Sequence, residues 1–362
     1  MKVLQVLYSG LGGHGSVVTS LINADVNKQW EHALLFYGIE DLLPAYEEFC
    51  RKKEIPYSFV GKKKGLLKSG SRKVKQALRK HKPDIILLHS PNIILTMWWY
   101  CLFRKTKFFV IEHTSNSIKG FPELLASLFS LLLARKVIYL SPFYQKQLRK
   151  KFWFFPVKNN SVVIQNGIDL QQYKPNQKFE NATELHAGMI GRFIPPKNQS
   201  FIVEALEKGI RSGSFHQKII IHFAGNGDAL ASLKDTVQKR GLHELVLFHG
   251  LLDEKEIINF FWELDFYVHA SYAETMCTAV MQALACGLPV LASNISGIND
   301  IVQEKGNALL FNNDDINTLI SGMVIMQDPI RRKEMGECGR QYALIHFSAQ
   351  NTFREYNKII SA

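Results

Sequence analysis

Ala273-Glu274-Thr275-Met276-Cys277-Thr278-Ala279-Val280-Met281-Gln282-Ala283-Leu284-Ala285-Cys286-Gly287-Leu288-Pro289-Val290-Leu291-Ala292-Ser293 decides how this chain is read. The run before it, Asp265 to Ala270, is short and mostly apolar and predicts a buried strand. Glu274 then falls in a tight loop. Thr275 to Ala285 has helix-forming composition with small residues on one face. Gly287 is placed to close that helix in a left-handed conformation, and Pro289 forbids its continuation. Val290-Leu291-Ala292 predicts the next strand. The unit is strand, loop, helix, strand, and the helix would aim its N-terminal amides at the loop, which makes an anion site. The plainer reading of Glu274 is a carboxylate stabilised by the helix dipole.

A second α/β signal opens the chain. Lys2 to Tyr8 predicts a strand, Gly10-Leu11-Gly12-Gly13-His14-Gly15 a glycine loop, and Ser16 to Ala24 a helix. This is the first βα unit of a doubly wound sheet. The loop also spells G-x-G-x-x-G, and Glu40 after the second strand could bind a ribose, so an NAD-linked oxidoreductase stands as an alternative. Lys82 to Ser90 and Phe108 to Thr114 predict further strands with polar carboxyl ends, where ligands of open α/β sheets gather. Val137 to Leu140 predicts another. In the second half, Leu185 to Ile190, Ile219 to Phe223, Val246 to His249 and Asn307 to Phe311 read as strands. The last helix is expected over Gln350 to Ile360, with Phe353, Tyr356 and Ile360 on one face.

With 362 residues and 46% apolar content, the chain is long enough for about two globular domains. Met1-Lys2 runs directly into a strand, so no leader peptide is expected, and no apolar run is long enough to span a bilayer. Five scattered cysteines without metal-ligand spacing suggest a reduced, cytoplasmic setting. The charge is unevenly spread: residues 1–160 carry a net +16 and residues 161–362 a net −4. Gly61 to Lys82 holds Lys62, Lys63, Lys64, Lys68, Arg72, Lys73, Lys75, Arg79, Lys80 and Lys82 without an acid, with Leu66, Leu67, Val74 and Leu78 at near-helical spacing. A basic amphipathic helix suits an anionic membrane surface, and a solvated helix face explains it as simply. Lys150 to Phe155 mixes cations and aromatics, as membrane interfaces do. No base-reading motif accompanies the positive charge, so nucleic acid is not an expected partner.

Several of these segments together resemble glycosyltransferases of the family 4 type (glycosyl transferases group 1), retaining enzymes of GT-B fold. The resemblance is carried by Asn166-Gly167-Ile168-Asp169 with Tyr173-Lys174-Pro175, by Gly191-Arg192-Phe193-Ile194-Pro195-Pro196-Lys197-Asn198, by Ala224-Gly225-Asn226-Gly227-Asp228, and by the Glu274 block. It implies two Rossmann-like doubly wound domains facing each other across a cleft. These would span 1–163 on the acceptor side and 164–345 on the nucleotide-sugar side, with a helix over 346–362 returning to the first.

By that resemblance the enzyme is a metal-independent hexosyltransferase without cofactor. Glu274 would contact the donor sugar. Arg192 and Lys197, with the amides of Met276, Cys277 and Thr278, would hold the diphosphate. Gln282 would hold the ribose, with Gly225 in the nucleotide site. His113 and the loop glycines Gly12 and Gly13 would complete the site from the first domain. The family carries a second glutamate eight positions after the first, where this chain has Gln282, and glycines after the first glutamate, where it has Cys277 at one place.

The expected reaction moves a sugar from a UDP- or GDP-sugar to a hydroxyl, with retention. The acceptor would be a lipid-linked glycan or a cell-surface polysaccharide or lipopolysaccharide precursor. The expected location is cytoplasmic and peripheral on the inner face of the plasma membrane. Two other readings remain at this point: a nucleotide-sugar-binding protein that keeps the fold without transferase activity, and a GT-B enzyme that hydrolyses or epimerises a nucleotide sugar without an acceptor.

Overall fold

The structure, a computed structural model, describes residues 1–10, 12–62, 71–156, 160–176 and 183–361. Lys63, Lys64, Leu66, Leu67 and Lys68 of the basic segment lie outside the described residues, as does most of the polar stretch Gln177 to Thr183. The chain divides into two compact units, 1–167 with Ala349–Ala362, and 168–348.

In the first unit, strands β1 (Lys2–Leu7), β2 (Glu31–Gly38), β3 (Tyr57–Gly61), β4 (Ile85–Leu88), β5 (Lys107–Glu112), β6 (Lys136–Tyr139) and β7 (Ser161–Val163) form one parallel sheet in the order β3-β2-β1-β4-β5-β6-β7. Helices alternate with them: α1 (Gly13–Ala24), α2 (Pro44–Lys52), α3 (Ser71–His81), α4 (Ile94–Cys101), α5 (Phe121–Leu133) and α6 (Pro142–Lys151). The central strands are continuous apolar runs because helices cover both faces. Ile85, Ile86, Leu87 and Leu88 of β4 are all buried. The strand order reverses between β1 and β4, which makes that junction the topological switch point.

The second unit repeats the pattern. Its strands are β8 (Glu184–Ile190), β9 (Lys218–Ala224), β10 (Val246–Gly250), β11 (Phe266–His269), β12 (Val290–Ser293) and β13 (Ala308–Phe311), all parallel, in the order β10-β9-β8-β11-β12-β13. The helices are α7 (Gln199–Arg211), α8 (Leu230–Lys239), α9 (Glu254–Glu263), α10 (Thr278–Ala285), α11 (Ser296–Asn299), α12 (Ile316–Ile325) and α13 (Pro329–His346). Here the order reverses between β8 and β11. Two loops therefore leave the sheet side by side at their carboxyl ends, the one after β8 that carries Arg192 and Lys197 and the one after β11 that carries Glu274. A final helix, α14 (Ala349–Ser361), belongs to the first unit. Its Phe353 ring packs 4.6 Å from that of Trp30, and the Trp30 indole donates to Asn357 Oδ1 at 2.8 Å.

Two helix starts depart from the sequence reading. α10 begins at Thr278 rather than Thr275, because Thr275 to Cys277 are still turning the chain away from β11. α1 begins at Gly13 rather than Ser16, so Gly13 and Gly15 are helical and only the earlier glycines belong to the loop. The end of α10 is as expected. Gly287 is left-handed at φ +77°, its N–H donates to the Leu284 carbonyl, and the Leu288 N–H donates to that of Ala283. These two bonds satisfy carbonyls the helix end would leave open. Of the basic segment, Gly61 closes β3 and Ser71 to His81 form α3, which buries Val74, Ala77 and Leu78 and leaves most of its cations outward.

Candidate active site

Lys197 and Glu274 meet. Lys197 ends a single 3-10 turn after β8, Glu274 sits in the loop after β11, and the lysine ammonium donates to Glu274 Oε1. Two further groups converge on the same oxygen. The Ser271 hydroxyl donates to it at 2.7 Å, and His269 Nε2 lies at 2.8 Å. Ser271 Oγ is also 2.9 Å from His269 Nε2, and Cys277 Sγ is 3.4 Å from it. His269 and Ser271 are fully buried, while Lys197 and Glu274 keep 21% and 12% of their side chains exposed, so the ion pair forms the mouth of the cluster.

The cluster is braced from behind. Tyr267 OH stands 3.3 Å from His269 Nδ1, donates to the Ile190 carbonyl and accepts from the Ile190 N–H. With its one proton on Ile190, Tyr267 receives the His269 Nδ1–H, which directs the other ring nitrogen at Glu274 and Cys277. Asn313, after β13, donates to the Ser271 carbonyl at 2.9 Å and accepts from the Ser293 hydroxyl at 3.0 Å. The loop after β11 is thereby tied to its neighbours on the sheet.

Electrostatics follow from this packing. Burial alone would raise the Glu274 carboxyl, but the Lys197 ammonium and His269 overcome it and hold the carboxyl well below the usual carboxylate range. Burial alone would lower Lys197, and the Glu274 charge turns that into a rise, with Arg192 pushing the other way. His269 is likewise opposed by burial, yet Cys277 and Glu274 push it up to about 9. The arrangement is an anion shared by surrounding cationic and neutral donors at the start of α10, whose first amides have no acceptor within the helix.

The other expected residues are placed as follows. Arg192 is exposed at the start of the same loop as Lys197, and its carbonyl accepts from the Gln199 side chain at 3.0 Å. Met276 and Cys277 precede α10 and Thr278 opens it, all three buried. Gln282 is buried in the second turn of α10. Gly225 follows β9 and donates its N–H to the Gly250 carbonyl at 2.6 Å.

In the first unit, Gly12 is the N-cap of α1 and Gly13 its first residue. His113 follows β5, and its Nε2 is 2.9 Å from His89 Nδ1. His89 Nε2 in turn lies 3.0 Å from Gln5 Oε1, and the His14 ring is 6.1 Å from that of His113. Burial, then the neighbouring His14, lowers His113 to about 3, and burial lowers His89 well below its ordinary value. Glu40, the residue on which the dinucleotide alternative rested, accepts a hydrogen bond from the Tyr8 hydroxyl at 2.8 Å.

Sequence reasoning did not single out Tyr267, His269, Ser271, Asn313 or His89. The available signal was the polar carboxyl end of β11, where His269 ends an apolar strand and Ser271 follows it.

Two family models tile this architecture. "Glycosyltransferase Family 4" matches residues 11–172, and "Glycosyl transferases group 1" matches residues 171–342. The chain belongs to this family of glycosyltransferases. An Escherichia coli UDP-Gal:α-D-GlcNAc-diphosphoundecaprenol α-1,3-galactosyltransferase is 25% identical over 268 residues, covering 69% of this chain and 68% of that one. An uncharacterised glycosyltransferase of Methanocaldococcus jannaschii is 24% identical over 277 residues, 71% of this chain and 68% of its own length. The α-monoglucosyldiacylglycerol synthase of Streptococcus pneumoniae is 26% identical over 210 residues, 54% of this chain and 46% of its own.

Among solved structures, Anabaena HepE in complex with UDP and glucose superposes with a TM-score of 0.82 at 18% identity, covering 100% of this chain and 99% of that one. The sucrose-phosphate synthase of Thermosynechococcus elongatus gives 0.83 at 18% identity, covering 100% and 98%. The fold of this glycosyltransferase is therefore GT-B. Among its described residues, no helix is long and apolar enough to cross a membrane.

Proposed function

We propose that this glycosyltransferase moves a hexose from a UDP-sugar to a hydroxyl of a lipid-linked glycan or cell-surface polysaccharide precursor, with retention and without a metal cofactor. The observation that carries the reading is the Lys197–Glu274 pair at the start of α10, in a chain matched by glycosyltransferase models from residue 11 to residue 342.

Glu274 is ionised by its neighbours and rigidly held, as a group that positions a sugar hydroxyl must be. Lys197 is poised to transfer from Glu274 toward a diphosphate, and Arg192 on the same loop supplies a fork of donors. Together with the amides of Met276, Cys277 and Thr278 they would stabilise charge developing on the leaving UDP. Gln282 would hold the ribose through a neutral amide, with Gly225 beside the nucleotide. His113, neutral through its burial, would offer a hydrogen bond to the sugar rather than a charge, beside Gly12 and Gly13. The leaving phosphate would accept the acceptor's proton.

UDP is favoured over GDP by the UDP complexes among the similar folds. Lipid-linked acceptors are favoured by the names of the E. coli and S. pneumoniae relatives. A peripheral site at the cytoplasmic face of an anionic membrane is supported by the surface of the first unit. Trp99 and Phe103 are 55% and 73% exposed at the end of α4, with the Lys75 ammonium 4.7 Å from the centre of the Trp99 ring. Trp153 and Phe154, 79% and 64% exposed, follow the basic end of α6. The test is a panel of UDP- and GDP-sugars offered with and without polyprenyl-diphosphate-linked and diacylglycerol-linked acceptors. Proton NMR would read the anomeric configuration of the product. The proposal expects acceptor-dependent UDP release and an axial product from an axial donor. Hydrolysis alone, an inverted product, or no turnover of any donor overturns it.

A further inference from the structure

Three side chains of different chemistry converge in the second unit: His269 Nε2, Glu274 Oε1 and Cys277 Sγ all lie within 4.8 Å of one another. Imidazole, carboxylate and thiol together are the ligand set of a borderline divalent cation, and no hard cation such as magnesium prefers sulfur. We propose that these three atoms form a binding site for zinc or a similar thiophilic divalent cation, and that the cation inhibits the enzyme by competing with Lys197 for Glu274. The binding stands on the geometry alone. The inhibition rests on the role given to Glu274 above.

The spacing suits a tetrahedral ion. With zinc's usual bond lengths, ligand atoms sit about 3.3–3.6 Å apart. His269 Nε2 is 3.4 Å from Cys277 Sγ, already at that spacing; the nitrogen–oxygen edge, 2.8 Å, must open, and the sulfur–oxygen edge, within 4.8 Å, must settle to it. The second shell has the form such sites require: His269 Nδ1 is backed by the Tyr267 hydroxyl, which is fixed on the Ile190 backbone, so the ring presents Nε2 inward. Ser271 Oγ, 2.7 and 2.9 Å from the Glu274 and His269 atoms, stands where a fourth ligand or its water would be.

His269 and Cys277 are buried, and entry is from the side of Lys197 and Glu274. Lys197 is the residue that must yield. Its ammonium occupies the same carboxylate oxygen, and its long side chain can swing away once the cation replaces its charge. Zinc takes Cys277 as thiolate and His269 as neutral imidazole, so the protons held at Sγ and at His269 Nε2 both leave to solvent on binding.

Cobalt(II) and zinc decide the matter without any turnover. The purified protein would be titrated with Co2+ and its absorption followed for the sulfur-to-cobalt charge-transfer band. Zn2+ affinity would be read by competition with a chromogenic chelator. The expected result is one site with a charge-transfer band. Cys277→Ser abolishes the band and weakens zinc at least about tenfold, and Cys338→Ser changes neither. Lys197→Met should tighten zinc, because the competing cation is gone, a sign that mere damage to the fold would not give.

If Cys277→Ser does not fold, His269→Gln serves in its place: a weakened or lost band supports the site, and a band of unchanged affinity overturns it. No band in the wild type, a band that survives Cys277→Ser, or weaker binding in Lys197→Met overturns the site. Zinc that binds without slowing turnover of a UDP-sugar overturns the inhibitory half. A protein with no transferase activity under any condition would strike the proposed function and leave the cobalt result readable.

Discussion

Lys197 and Glu274 stand 77 residues apart in the chain and share one hydrogen bond at the carboxyl ends of neighbouring strands. Each balances the other's buried charge. Removing one partner of such a pair leaves an uncompensated charge, which costs about 3–5 kcal/mol when burial is complete and less at this partly exposed mouth. Lys197→Met should therefore lower the urea midpoint more than the double variant Lys197→Met with Glu274→Gln. Equal midpoints for the two would show that the pair contributes nothing to folding.

For catalysis, Arg192→Ala and Lys197→Ala should each reduce turnover roughly ten- to a hundred-fold, the loss of one charge-assisted contact of about 1.5–3 kcal/mol. Glu274→Gln should nearly abolish transfer. Steady-state kinetics on folded variants, checked by circular dichroism, provide the measurement. Full activity in Arg192→Ala or Lys197→Ala would remove that residue from the diphosphate site.

Gln282 is buried in α10 with a neutral amide, at the position where the family resemblance implies a second glutamate. A carboxylate makes the stronger, charge-assisted bond to a ribose diol. Gln282→Glu is expected to be tolerated or to tighten UDP, read by calorimetric titration. Complete loss of nucleotide binding would contradict the placement of the ribose at this helix.

The buried histidines His89 and His113 should make the first unit sensitive to acid. Burial lowers both His89 and His113, the latter to about 3, while an unfolded histidine titrates near 6.5. Between those values the unfolded chain binds more protons than the folded one, so stability rises with pH across the window. The contribution is complete above about pH 6.5 and is lost progressively as the pH falls toward 3. Thermal unfolding followed from pH 7 to pH 4 should show this decline, and His89→Gln with His113→Gln should flatten it. An unchanged slope in the double variant would assign the acid sensitivity to other groups.

The exposed aromatics of α4 give the membrane reading its sharpest test. Trp99→Ser with Phe103→Ser should reduce sedimentation with anionic vesicles, and Lys75→Glu should reduce it further at low salt, where each cation near the surface contributes about 1 kcal/mol. Wild type that ignores anionic vesicles at low salt would make the patch a site for something other than lipid.

Much of this architecture was legible because its central strands have a single strong signal. Runs such as Ile85 to Leu88 are apolar on both faces, and the glycine and proline punctuation around Gly287 and Pro289 fixes where a helix must stop. Helix starts were harder. No capping side chain marks the beginning of α1 or α10, so composition extended one helix three residues too early and began the other three too late. The site was legible as separate pieces. Lys197 and Glu274 were expected to serve different parts of a donor, and only the adjacency of β8 and β11 reveals that they hold each other. His269 escaped notice because a histidine within an apolar strand has the same composition whether it is packing or chemistry. Its meaning comes from Tyr267 behind it and Cys277 before it.

The final helix has a consequence for how the molecule is made. α14 lies on α1 beside Trp30, yet it follows the entire second unit in the chain. A nascent chain leaving the ribosome can complete residues 168–348 as a self-contained sheet while the first-made part still lacks a piece of its covering. The earlier unit waits on the later one, with the Trp30 indole unsheltered until Phe353 and Asn357 emerge. Any premature stop after residue 348 would spare the Lys197–Glu274 unit and leave the other half to the chaperones.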